Sequence, residues 1–166
     1  MKRRHFITGA AASLGLAGCG FQLRQAPNFS FSTIFINGPA RSLLVTELRR
    51  NIASGGTVTV LPEGSAPDKA QVIIDVLQDQ RERIVVGLSA AGQVREFQLR
   101  IRFKFKLRTP QGNELIPETE ILQQRDVSYN ETQALAKEAE EALLYRDMQT
   151  DIVQQLLRRL AAVKSI

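Results

Sequence analysis

Between Arg95 and Thr109 the chain reads REFQLRIRFKFKLRT, an unbroken two-residue alternation. Phe97, Leu99, Ile101, Phe103, Phe105 and Leu107 hold one parity, and Gln98, Arg100, Arg102, Lys104, Lys106 and Arg108 hold the other. Successive side chains of a strand point to opposite faces, so the segment is a ribbon with an apolar side and a basic side. The apolar side has to be covered by the rest of the fold. The basic side sets same-face cations roughly 7 Å apart, where they repel one another unless something anionic meets them. What faces Arg100, Arg102, Lys104, Lys106 and Arg108 is therefore the main question.

The flanking sequence supplies the cover. Residues 31–37 (FSTIFIN) alternate and are rich in β-branched and aromatic residues, so they read as a strand. Leu43, Leu44, Leu48 and Ile52 recur at helical spacing and predict an amphipathic helix over 40–53, ended by Gly55-Gly56. Residues 57–61 form a short strand, 62–68 a loop, and 70–86 a long strand that turns polar toward Arg83. Thr109-Pro110-Gln111-Gly112-Asn113 is a turn, and 118–129 a further strand. From 133 to 163, Leu135, Ala139, Leu143, Met148, Ile152, Leu156 and Leu160 predict one long helix with a single apolar stripe. The expected fold is α+β: one mainly antiparallel or mixed sheet of four to five strands, with two helices packed on one face.

The N-terminus is expected to be removed. MKRRHFITGAAASLGLAGC has a basic head, an apolar run from Phe6 to Ala17 too short to span a bilayer, and small residues before a cysteine. Leu16-Ala17-Gly18-Cys19 resembles the lipobox of bacterial lipoproteins, in which the cysteine receives an S-diacylglycerol and an N-acyl chain. Residues 1–18 are then a signal peptide, 19–30 a lipidated tether reaching roughly 36 Å, and 31–166 the folded domain. Arg3-Arg4-His5-Phe6-Ile7 resembles a twin-arginine export signal, and Sec export is the alternative. Each acyl CH₂ contributes about 0.8 kcal/mol, so a three-chain anchor holds firmly without a spanning segment. Gly20 at the position after the cysteine, by resemblance to enterobacterial sorting rules, implies the periplasmic side of the outer membrane.

Processing changes the charge argument. The isoelectric point of the whole sequence is near 9.8, which invites a polyanion partner. Removing Lys2, Arg3 and Arg4 from the 22 basic residues leaves 19 against 17 acidic, a formal +2. Positive charge is then local, not global. Loss of His5 with the signal and acylation of Cys19 leave no imidazole and no free thiol, which excludes triads, thiol nucleophiles and zinc sites. No metal, cofactor or catalytic residue is expected. Asp75 and Asp79 fall on one face of a regular strand and leave a carboxylate-based hydrolase or a cell-wall binder as the alternative class. Their plainer reading is as solvated groups or as partners for the neighbouring basic strand.

The basic row itself admits a solvated face, charged against edge pairing. Nucleic acid is disfavoured, because Phe97, Phe103 and Phe105 lie on the opposite side from the cations and cannot stack bases held by them. Lipopolysaccharide, whose lipid A and inner core carry phosphates and carboxylates, is the polyanion such a row meets at an outer membrane. Leu16-Ala17-Gly18-Cys19-Gly20-Phe21-Gln22-Leu23-Arg24, the element order, and Tyr129-Asn130 leading into a helix that carries Asp147-Met148 and Leu157-Arg158-Arg159-Leu160 resemble the LptE family of lipopolysaccharide-assembly lipoproteins. That resemblance implies a non-enzymatic plug inside the LptD outer-membrane barrel that binds lipopolysaccharide. The row at Arg100, Arg102, Lys104, Lys106 and Arg108 would then meet lipopolysaccharide or the barrel wall.

Overall fold

A computed structural model describes residues 27–166. Five strands form one mixed sheet in the order β2-β1-β3-β4-β5: β1 Thr33–Asn37, β2 Thr59–Val60, β3 Val72–Leu88, β4 Val94–Arg108 and β5 Glu114–Ser128. β1 runs parallel to β2 and β3, and β4 is antiparallel to both of its neighbours, β3 and β5. Helix α1, Leu43–Ser54, crosses from β1 to β2, and α2, Ala134–Ala161, closes the chain. Both helices share one core cluster with the odd-numbered residues of β4. The expected signal peptide and lipidation site, residues 1–18 and Cys19, lie outside the described residues.

Local chemistry explains the connections. Ser42 caps α1, its Oγ accepting the Val45 N–H at 2.9 Å. The β3–β4 and β4–β5 hairpins each turn through a glycine at positive φ, Gly92 at 78° and Gly112 at 96°, a region that costs other residues. β5 begins at Glu114 and not at 118, because its Pro117 is tolerated on a sheet edge, where a missing N–H breaks no ladder. β4 is flanked on both sides, so its charges do not guard an edge.

Two sequence expectations are corrected. Asp75 and Asp79 do not share a face. The register slips between Val76 and Gln78, a bulge in which half-exposed Leu77 is the extra residue, and one extra residue moves every later side chain to the other face. Asp75 consequently lies opposite Lys106 on the open side, whereas Asp79 lies opposite Phe103 beneath the helices and accepts the Ser42 hydroxyl at 2.5 Å.

The second correction concerns α2. Met148, Ile152, Val153, Leu156, Leu157 and Leu160 are buried, yet Leu135 is 83% and Leu143 58% exposed. The side turned to the sheet in the first half carries Lys137, Glu141 and Tyr145 instead. There the sheet presents Arg81 and Arg83 after the bulge, so polar groups face polar groups: Glu141 meets Arg83 at 3.3 Å, and the Tyr145 hydroxyl donates to the Glu82 carbonyl at 2.7 Å. The core thus occupies the end of the sheet that carries β1 and α1, and the remainder of the β3–β4–β5 ribbon projects beyond it.

Candidate functional site: the open charged face of the sheet

The five cations of β4 stand in a file on the uncovered face, with Arg102, Lys104 and Arg108 about one-third exposed, while Leu99, Ile101, Phe103, Phe105 and Leu107 on the other face are buried. The flanking strands answer their mutual repulsion with carboxylates. Arg102 lies between Glu82 of β3 at 3.3 Å and Glu120 of β5 at 3.0 Å. Lys104 approaches Glu120 at 3.7 Å and Glu118 at 4.0 Å. Arg108 donates to Asp75 at 2.6 Å, and Asn37 donates to the other oxygen of that carboxylate at 2.9 Å.

Arg100 and Lys106 are different. The Arg100 Nε donates to the Gln98 Oε1 at 2.7 Å, and the Gln98 amide in turn donates to Asp126 at 2.8 Å. Lys106 lies opposite Asp75 in the ladder, but Asp75 is taken by Arg108 and Asn37. Among the described residues neither Arg100 nor Lys106 has a carboxylate within ion-pair distance. These contacts set the row against Asp75, Glu82, Glu118, Glu120 and, through Gln98, Asp126, and the two cations of the row without an ion pair are Arg100 and Lys106.

Asp75 anchors the core end of the face. Burial pushes its carboxyl up, but the hydrogen bonds from Arg108 and Asn37 and the charges of Arg108 and Lys106 outweigh this and hold it below the ordinary 3.8. It is therefore a fixed anion of the structure, not a proton carrier. The exposed pairs are weaker, each contributing about 0–1 kcal/mol, and can exchange protein carboxylates for external anions at little cost.

The aromatic residues fall where the alternation puts them. Phe103 and Phe105 are fully buried, and Phe97 is covered by the Arg83 guanidinium, 3.6 Å from its ring centroid, on the helix side. Cations and ring faces thus do not converge on one ligand across the open face. Among the described residues no group of three or more His, Cys, Asp or Glu is placed to hold a metal. None of their helices is long and apolar enough to cross a membrane. The carboxylate partners Glu82, Glu118, Glu120 and Asp126 were not singled out by the sequence, because only strand register tells which acid stands beside which base.

Comparisons with known proteins agree with this architecture. The family model LptE, lipopolysaccharide-assembly, matches residues 31–160. An LPS-assembly lipoprotein LptE of Photorhabdus laumondii is 28% identical over 159 residues, which covers 92% of this chain and 82% of that protein. The solution structure of an uncharacterized lipoprotein B from Nitrosomonas europaea is 36% identical, with a TM-score of 0.72 over 86% of this chain and 91% of that one. The rare lipoprotein B from Shewanella oneidensis shares the fold at 22% identity, with a TM-score of 0.64 over 79% of this chain and 95% of that one. The family match begins at Phe31 and ends at Leu160, both buried in the core cluster, so it spans the whole packed unit: the chain belongs to the LptE family of lipopolysaccharide assembly.

Proposed function

We propose that this chain is a non-enzymatic outer-membrane lipoprotein, held on the periplasmic side by lipid on Cys19, that plugs an LptD-like β-barrel, assists its assembly and binds lipopolysaccharide for delivery to the outer leaflet. The observation that carries this reading is the open β3–β4–β5 face. Charged and amide side chains run along it, with Leu122 and Ile84 among them, as suits the plug of a polar barrel lumen. β3 alone has 17 residues, roughly 55 Å of ribbon, which exceeds the ~25 Å apolar band of an outer-membrane barrel. Its charges are paired but exposed, so they can be re-paired with barrel carboxylates or lipid phosphates. The carboxylate-hydrolase alternative loses its geometry, since Asp75 and Asp79 are on opposite faces and each is held by a structural partner.

Arg100→Ala with Lys106→Ala is expected to weaken capture of purified lipopolysaccharide about tenfold at low salt, with the difference shrinking as salt rises. Arg102→Ala, whose cation is already matched on both sides, is expected to do less. Titration of lipopolysaccharide onto the immobilised lipoprotein at several ionic strengths reads both. Equal affinity of the double variant at every salt concentration would remove lipopolysaccharide from this face.

A further inference from the structure

On the opposite side of the sheet, a groove of about 560 Å³ lies between α1 and the middle of α2. Its walls are joined by side chains, Glu47 of α1 meeting Gln149 and Thr150 of α2. Arg50 of α1 and Arg146 of α2 line its two walls, and Arg81 of β3 lies beneath. The one carboxylate in the groove, Glu47, is already engaged, accepting from Gln149 Nε2 at 2.5 Å and from Thr150 Oγ1 at 3.0 Å. Arg81 donates to Gln149 Oε1 at 2.7 Å, so a chain Arg81–Gln149–Glu47 fixes the floor. Among the described residues, Arg50 and Arg146 have neither an ion pair nor a side-chain hydrogen bond. Three guanidiniums against one carboxylate leave the groove at a formal +2. The adjoining cleft of about 380 Å³ contains Arg41 and Asp79, which balance each other formally, so it does not cancel that excess.

The groove offers more than charge. Asn51 donates its side-chain Nδ2 to the Glu47 carbonyl, which leaves its Oδ1 as an acceptor, and the Thr46 and Thr150 hydroxyl oxygens retain acceptor capacity. Leu43, 62% exposed, and Ala142 supply an apolar flank. Guanidinium forks suit phosphate or carboxylate, hydroxyl and amide acceptors suit sugar hydroxyls, and a small apolar flank suits the C–H face of a pyranose. A peptide fits less well: both walls are helices whose backbone groups are bonded internally, so an extended chain would find few partners for its own N–H and C=O groups. We propose that this groove binds a phosphorylated or carboxylated saccharide, with Arg50 and Arg146 gripping the anion from opposite walls. The site is separate from Arg100 and Lys106 and does not depend on the plug reading.

The test uses the full-length lipoprotein in detergent, with ligand-observed saturation-transfer NMR. Glucose 6-phosphate and galacturonate are expected to bind and glucose not to. Arg50→Gln with Arg146→Gln, verified as folded by circular dichroism, is expected to weaken binding about tenfold, and Arg158→Gln with Arg159→Gln, exposed cations at the far end of α2, to leave it unchanged. Displacement by purified lipopolysaccharide would identify the lipid's own sugars as the source, and its failure would assign the site to free acidic saccharides. Inorganic phosphate competing as well as glucose 6-phosphate would overturn the proposal, since only an ion would then be recognised. So would unchanged binding in the groove variant.

Discussion

Ile152→Asp is expected to leave no cooperatively folded domain. Ile152 is fully buried, among Met148, Val153 and Leu156 of its own helix and the Leu99, Ile101 and Phe103 side of β4. Loss of the side chain alone costs about 2–5 kcal/mol, and burial of a carboxylate without a partner adds several more. Together these approach the roughly 5–15 kcal/mol that stabilises a whole domain. The matching control is Leu143→Asp. Leu143 has the same helix and the same apolar character but is 58% exposed, so its replacement is expected to change stability by no more than about 0.5 kcal/mol. Thermal unfolding followed by circular dichroism separates the two. A cooperative melt in the Ile152 variant, or its loss in the Leu143 variant, would show that α2 is docked differently.

Asp75→Asn should cost about 1–3 kcal/mol at neutral pH. Asp75 is mostly buried and balances Arg108, so neutralising it leaves the Arg108 guanidinium beside Lys106, two residues away on the same face of β4, without its counter-charge. The pH dependence follows from the direction of the shift. The carboxyl titrates below 3.8 in the folded chain and near it when unfolded, so its contribution is fully present above that value. It is lost as pH falls through the lower, folded value, where the native carboxyl itself becomes protonated. Urea unfolding of both proteins from pH 7 down to pH 3 should therefore show a constant difference that narrows only below about pH 4. A difference that widens in acid would mean that Asp75 is not held ionised by Arg108.

These two positions also show where the sequence was legible. β4 could be read residue by residue, because a ribbon buried on one face must alternate and the pleat allows no other pattern. The element order, the two helices and the Thr109–Asn113 turn followed from periodicity and glycine placement in the same way. The bulge at Leu77 was not legible: Val76-Leu77-Gln78 contains no glycine or proline to mark it, and the slip appears only when β3 is laid against β4. Asp75 and Asp79 were therefore assigned one face. The α2 stripe misled for a related reason. Leu135, Ala139 and Leu143 make the helical-period stripe of that segment, but the face it turns inward is set by what the sheet offers: the segment presents Leu144 and Tyr145 to the core and Glu141 to Arg83. The acids that neutralise the basic row were visible as residues but not as partners, because register across two hairpins is a tertiary property. The groove at Arg50 and Arg146 joins residues nearly a hundred positions apart and has no sequence signature.

We propose a lipid-anchored plug that works inside a barrel on lipopolysaccharide. Its most direct test is affinity purification of the full-length chain from detergent-solubilised outer membranes, followed by mass spectrometry of protein and lipid together. The expected result is an outer-membrane β-barrel of the LptD type in near-equal amount, bound lipopolysaccharide, and an N-terminal Cys19 bearing three acyl chains. Recovery of the chain alone, unacylated and free of lipopolysaccharide, would contradict it.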